Sequence, residues 1–201
     1  TVSLNGVKLV QDLDYSVTYL SNKNVGTAKV VICGKGVYTN SLTKTFTIRP
    51  ETMASAVITG CKAKYSYTGK QVKPLIQVVW NGKILRNNTD YTLLYKNNKK
   101  RGSAGIVVTG KGNYSGTLKA SFTIVRASVK KASVTGLKAV YARTGKAVKP
   151  KVTVKLGGKK LKKKRDYILS YRKNKKKGTA LLYVKGVGNY SGTKKMKFKI
   201  R

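Results

Sequence analysis

Any chemistry in this chain must be built from lysine, tyrosine and a few carboxylates. There is no histidine among the 201 residues, so the side chain that most often serves as a base or zinc ligand near neutral pH is missing. The acidic residues are Asp12, Asp14, Glu51, Asp90 and Asp166. Apart from Asp12 with Asp14 they are scattered, whereas paired-carboxylate hydrolysis needs two converging on one cleft. Calcium binding needs several carboxylate and carbonyl oxygens, and the stretches that look like linkers hold one acid, Glu51. Cys33 and Cys61 are the only cysteines. A disulfide between them would close a loop of about 28 residues and stabilise by about 3 kcal/mol; two free thiols are the alternative, and neither is catalytic. The expectation is a non-catalytic chain without cofactor or metal.

Positive charge is what the sequence has in excess. With 44 Lys and Arg against 5 Asp and Glu, the formal charge is +39, far beyond what solubility asks of a protein this size. The charge is also graded. Residues 1–50 carry six basic and two acidic groups, 51–126 thirteen and two, and 127–201 twenty-five and one. Lysines number 36 and arginines 8, which favours diffuse attraction by hydrated point charges over bidentate readout.

The densest clusters lie in the last third. Lys159, Lys160, Lys162, Lys163, Lys164 and Arg165 crowd one hairpin arm and its exit loop, and Arg172, Lys173, Lys175, Lys176 and Lys177 fill the next loop. Strand alternation predicts two further stripes, Lys149, Lys151 and Lys155 on one strand and Lys195, Lys197 and Lys199 on another. Neighbours in such a stripe stand about 7 Å apart and repel by roughly 0.6 kcal/mol in water before screening. A polyanion would relieve that repulsion, so an anionic cell-wall polymer or an acidic glycan is the expected partner. Sequence-specific nucleic-acid binding is not expected, because most tyrosines fall at inward strand positions or in turns and no reading helix is present. No stretch reaches the 18 or so apolar residues of a membrane span.

The elements that must carry these residues repeat every 76 positions. Asp14-Tyr15, Asp90-Tyr91 and Asp166-Tyr167 are so spaced, as are Tyr19, Tyr95 and Tyr171, and Phe46, Phe122 and Phe198. The offset sets Thr1 opposite Gln77 and Thr153, so the first copy lacks its opening strands. The expected organisation is a partial module at 1–50 and complete modules at 51–126 and 127–201, joined by linkers at 49–55 and 125–131. The chain is expected to be a monomeric piece of a longer polypeptide. Apolar residues alternate within each module, as in Leu118, Ala120, Phe122 and Ile124 against Lys119, Ser121 and Thr123, which predicts strands. Asn5-Gly6, Asn81-Gly82 and Gly157-Gly158 mark tight hairpins. The fold class expected is all-β, six or seven short strands per module in a small antiparallel sandwich. The recurring Asp before Tyr is expected to accept backbone N–H bonds where a loop enters a strand.

Tyr67-x-Gly69, Pro74, Asn81-Gly82-Lys83-x-Leu85, Asp90-Tyr91, Asn97-Asn98, Gly110-Lys111-Gly112-Asn113-Tyr114-x-Gly116 and Phe122-x-Ile124 together resemble the tandem immunoglobulin-like repeats of secreted and cell-surface proteins of Gram-positive, clostridia-type bacteria. The resemblance implies Ig-like modules, an extracellular or wall-associated location, and a role as stalk, spacer or wall-binding module beside other domains. Two departures stand out. Arg143 replaces the tyrosine found at Tyr67 one module earlier, and the last module is far more basic than a plain spacer needs.

Overall fold

The computed structural model describes all 201 residues. The chain is all-β: strands form every regular element except one 3-10 turn at Val129–Lys131. Hairpin chemistry sets the registers. Asn81 and Gly82, at φ 45° and 77°, join Gln77–Trp80 to Lys83–Leu85 with Trp80 opposite Lys83. Two consecutive positive φ values give the turn whose twist matches antiparallel strands. Asn5-Gly6 and Gly157-Gly158 do the same, placing Leu4 opposite Val7 and Leu156 opposite Lys159.

Tyr91–Lys96, Gly102–Gly110, Thr117–Val125 and Lys64–Ser66 make a four-stranded sheet in that spatial order. Its last member runs parallel to Thr117–Val125, and Val140–Tyr141 likewise runs parallel to Thr193–Ile200. Both four-stranded sheets are otherwise antiparallel, as expected of small sandwich modules, and each gains one short parallel strand at its edge. In each complete module it is the third strand that pairs with the closing strand, both directed the same way. Two-residue strands also raise the count in each complete repeat to nine, above the six or seven expected.

The chain falls into two compact units, one comprising 1–59, 76–94 and 107–119, the other 60–75, 95–106 and 120–201. Within the first, Glu51–Thr52 pairs parallel with Tyr114–Ser115; within the second, Ala127–Ser128 pairs parallel with Tyr190–Ser191. The expected linkers are thus strands bonded to the Gly-x-Gly-x-Tyr segment of the following repeat. Gly186 permits this segment to fold back: a Cβ there would lie 2.7 Å from the Ser191 nitrogen.

The first unit holds the antiparallel sheet Tyr15–Leu20, Gly26–Gly34, Ser41–Ile48, in that order. In the second unit, the sheet Ser133–Thr135, Thr153–Leu156, Lys159–Lys160 faces the sheet Val140–Tyr141, Thr193–Ile200, Gly178–Gly186, Tyr167–Arg172. Val154 and Leu161 share one core with Leu182, Val184, Phe198 and Ile200, every one of them buried. This is a two-layer sandwich with its apolar alternation pointing inward.

Candidate polyanion-binding surface

The Asp-Tyr pairs show how the sequence fixes the loops that hold the lysines. The Asp166 carboxylate accepts the Lys162 N–H at 2.8 Å, and the Asp166 N–H donates to the Lys162 carbonyl at 2.8 Å. Asp90 with Arg86, and Asp14 with Val10, form the same closed loop. The expected structural role of the three aspartates is borne out, and Tyr15, Tyr91 and Tyr167 beside them are buried.

All seventeen of the basic residues singled out from the sequence are exposed. On the hairpin arm, Lys155 stands directly opposite Lys160, an arrangement that is unfavourable for like charges. Lys159 takes another course, its ammonium 5.9 Å from the centre of the Tyr67 ring. Lys162, Lys163, Lys164 and Arg165 follow in the loop closed by Asp166. Arg165 differs from the other sixteen: its guanidinium pairs with Asp166, at 2.9 Å, the one acidic side chain in residues 127–201. It is not a free cation. The Arg165 hydrogen bond, with help from the Lys162 N–H, holds the Asp166 carboxyl below the ordinary carboxylate range.

The stripe Lys195, Lys197 and Lys199 lies on the outer side of Thr193–Ile200, alternating with half-buried Met196 and buried Phe198 and Ile200. The other predicted stripe is not a strand stripe. Only Lys155 lies in Thr153–Leu156, while Lys149 and Lys151 sit in the irregular segment before it, where Pro150 withholds a backbone donor.

The lysines do not form one patch. Lys155 with Lys160, and Lys195 with Lys197 and Lys199, belong to the two sheets that sandwich a common core, so they decorate opposite outer faces. Lys173, Lys175, Lys176 and Lys177 occupy a loop between strands, tied down through Asn174, whose side-chain amide donates to the Val148 carbonyl at 2.9 Å. The arrangement presents positive charge on several sides, which suits a mesh of flexible polyanion better than a single cleft.

Sequence reasoning passed over Tyr183 and Lys185. Both share parity with Leu181 and oppose the buried Leu182 and Val184, so the same period-two count would have placed them outward. Tyr183 is half-buried, directly opposite Lys195 on one side and Ser170 on the other. Arg172 lies 5.7 Å from its ring centre, a cation–π arrangement. The outer face of this sheet is therefore a tyrosine ringed by Arg172, Lys185, Lys195 and Lys197. Cys33 and Cys61 are both free thiols, exposed and half-buried respectively, so the disulfide alternative is not realised.

Two lysines sit where backbone geometry disfavours them. Lys164 and Lys173 have φ of 71° and 54°. The positions 76 residues earlier, Asn88 and Asn97, adopt φ of 68° and 54° with the residue type that tolerates the left-handed region best after glycine.

Compared with known protein families, curated proteins and solved structures, the chain matches none. No helix is long and apolar enough to cross a membrane.

Proposed function

We propose that this chain is a non-catalytic extracellular repeat region of a Gram-positive surface or secreted protein, built of Ig-like modules, which binds or traverses the anionic cell envelope through the lysines of residues 127–201. One observation carries this reading. Of seventeen exposed basic residues in the clusters, only Arg165 has a carboxylate partner. Lysine at two left-handed positions adds to it, since charge there is kept against the local backbone preference.

The test is pull-down of the full chain with purified Gram-positive walls before and after removal of their phosphate polymer. Replacing Lys195, Lys197 and Lys199 together with Lys175, Lys176 and Lys177 by Gln should weaken binding at least tenfold. Binding should also fall with salt. Undiminished binding by the six-fold variant, or by stripped walls, sinks the reading. Competition by sulfated or sialylated glycan at lower concentration than wall polymer would move the partner to acidic host glycans.

A stalk or spacer role is supported by a separate observation, the bonding of each repeat to the next. Beyond the paired linker strands, Asn113 accepts the Val25 N–H at 2.8 Å and donates to the Asn24 side chain at 2.8 Å. Tyr67 meets Tyr190 edge-on with ring centres 5.8 Å apart.

A further inference from the structure

The middle and last repeats build the same corner with different side chains. In the middle repeat the Trp80 indole fills it. Its ring meets Tyr114 edge-on at 5.5 Å, its N–H donates to the Thr52 carbonyl at 3.0 Å, and Lys83 donates to the Tyr114 hydroxyl at 2.9 Å. At the 76-residue offset, Leu156 stands for Trp80, Tyr190 for Tyr114, Ser128 for Thr52 and Lys159 for Lys83. The backbone frame is shared. Ser115 lies opposite Thr52 and Ser191 opposite Ser128 in parallel ladders, and the hairpins pair Trp80 with Lys83 and Leu156 with Lys159.

With leucine in place of the indole, the last repeat keeps an open groove of about 410 Å³ at this corner, lined by Tyr67, Ser128, Lys131, Leu156 and Tyr190 among others. Tyr67 takes over the edge-on contact with Tyr190, at 5.8 Å, but it enters from a different segment and forms a wall of the groove instead of its filling. Lys159 follows it, with its ammonium 5.9 Å from the Tyr67 ring centre. The charge changes in step with the shape. Glu51 and Ser55 of the middle repeat become Ala127 and Lys131, so a negative charge is lost and a positive one gained at the same corner. Lys131 and Lys159 are both exposed, and neither has a carboxylate partner.

We propose that this groove takes an acidic sugar residue, a pyranose ring carrying a carboxylate or phosphate. Its volume falls in the range of small-ligand sites, and the space an indole fills one repeat earlier suits another flat ring. The two tyrosines and Leu156 receive the apolar C–H faces of the sugar. The Ser128 hydroxyl accepts the Lys130 N–H at 3.4 Å and keeps its proton to donate to a ring oxygen. Lys131 and Lys159 take the acid, whereas a neutral ring would leave both ammoniums without a counter-charge. The proposal deepens the polyanion reading and rests on it. The lysine stripes hold a polymer by charge alone, while the groove selects polymers whose charge is borne on a sugar ring.

The experiment titrates the full, isotope-labelled chain with a galacturonate hexamer and with a linear polyphosphate of equal charge, following backbone amide shifts. The hexamer should move Ser128, Lys131, Gly157 and Tyr190. Leu156→Trp restores the filling of the middle repeat, so it should abolish those shifts and weaken the hexamer about tenfold, while polyphosphate affinity changes less than about twofold. If the larger ring disturbs folding, as read from the amide spectrum, Lys131→Gln serves in its place and should weaken the hexamer about fivefold. Sugar-phosphate wall polymer or sialylated glycan should displace the hexamer from the groove, and whichever does so at lower concentration is the source of the acidic sugar. A chain that binds neither probe loses the polyanion reading and the groove with it. Polyphosphate binding without hexamer shifts at the groove, undiminished hexamer affinity in both variants, a glucose hexamer that binds as tightly, or displacement by neither polymer would each overturn the groove alone.

Discussion

At the scale of single residues, one buried carboxylate in the last repeat does several jobs at once. Asp166 is 5% exposed, closes its loop through the Lys162 N–H, and receives two guanidinium bonds from Arg165, both at 2.9 Å. Asp166→Asn removes the charge from these bonds and should destabilise by about 2 kcal/mol, measured by urea denaturation. Asp14→Asn should cost less, because Asp14 is only half-buried and its side chain has no cationic partner of this kind. The pH dependence follows from the direction of the shift. The Asp166 carboxyl is held down when folded, chiefly by the Arg165 hydrogen bond, so its contribution is complete above the unfolded value and is lost as pH falls through the folded one. The Asn variant should show a correspondingly shallower acid limb. At the alkaline end the sign reverses. Burial raises the phenols of Tyr167, Tyr171 and Tyr190, so the stability they lend is full below the unfolded tyrosine value and is lost as pH climbs through the folded ones.

At the scale of elements, the two left-handed lysines separate what folding wants from what the surface wants. Lys164→Asn and Lys173→Asn restore the residue type of the middle repeat, at Asn88 and Asn97, and together should stabilise by about 1 kcal/mol. The corresponding Gln changes remove the same charges without easing the backbone, so the difference between the Asn and Gln variants isolates the φ effect. Both pairs should bind polyanion more weakly than the parent, to the same degree. Had the lysines been neutral drift on a solvated loop, binding would not change. These two sites also mark how far the sequence could be read. The hairpins were legible because Asn-Gly and Gly-Gly admit one turn chemistry, and the stripe of Lys195, Lys197 and Lys199 because alternation against Phe198 and Ile200 leaves one face for lysine. Lys149 and Lys151 misled because alternation continues through Pro150 on paper, whereas the ladder does not. The parallel pairing of Lys64–Ser66 and Val140–Tyr141 was not legible at all: residues about sixty apart find each other through Tyr65 on Phe122 and Tyr141 on Phe198, and no local pattern encodes that.

For the molecule as a whole, a formal charge of +39 means that the native state is held against its own field, most of all in residues 127–201, where twenty-five basic groups face one acid. Compaction brings these charges closer than they are in the unfolded chain, so screening should favour the folded state. Raising sodium chloride from about 0.02 to about 0.5 M shortens the screening length several-fold, and Tm should rise by several degrees. A linear polyphosphate should act differently from simple salt. It binds the folded surface with many charges at once, so micromolar amounts should raise Tm by more than sodium chloride at matched ionic strength, through preferential binding to the native state. High sodium chloride should then abolish the polyphosphate increment while keeping its own. The Gln variant at the six lysines of the outer stripe and loop provides the control. With its self-repulsion reduced, it should start from a higher Tm in low salt, respond less to sodium chloride, and lose most of the polyphosphate increment. If Tm were flat in salt, or if the variant responded to polyphosphate as the parent does, the exposed lysines would not be an uncompensated field and the reason for expecting an anionic partner would disappear.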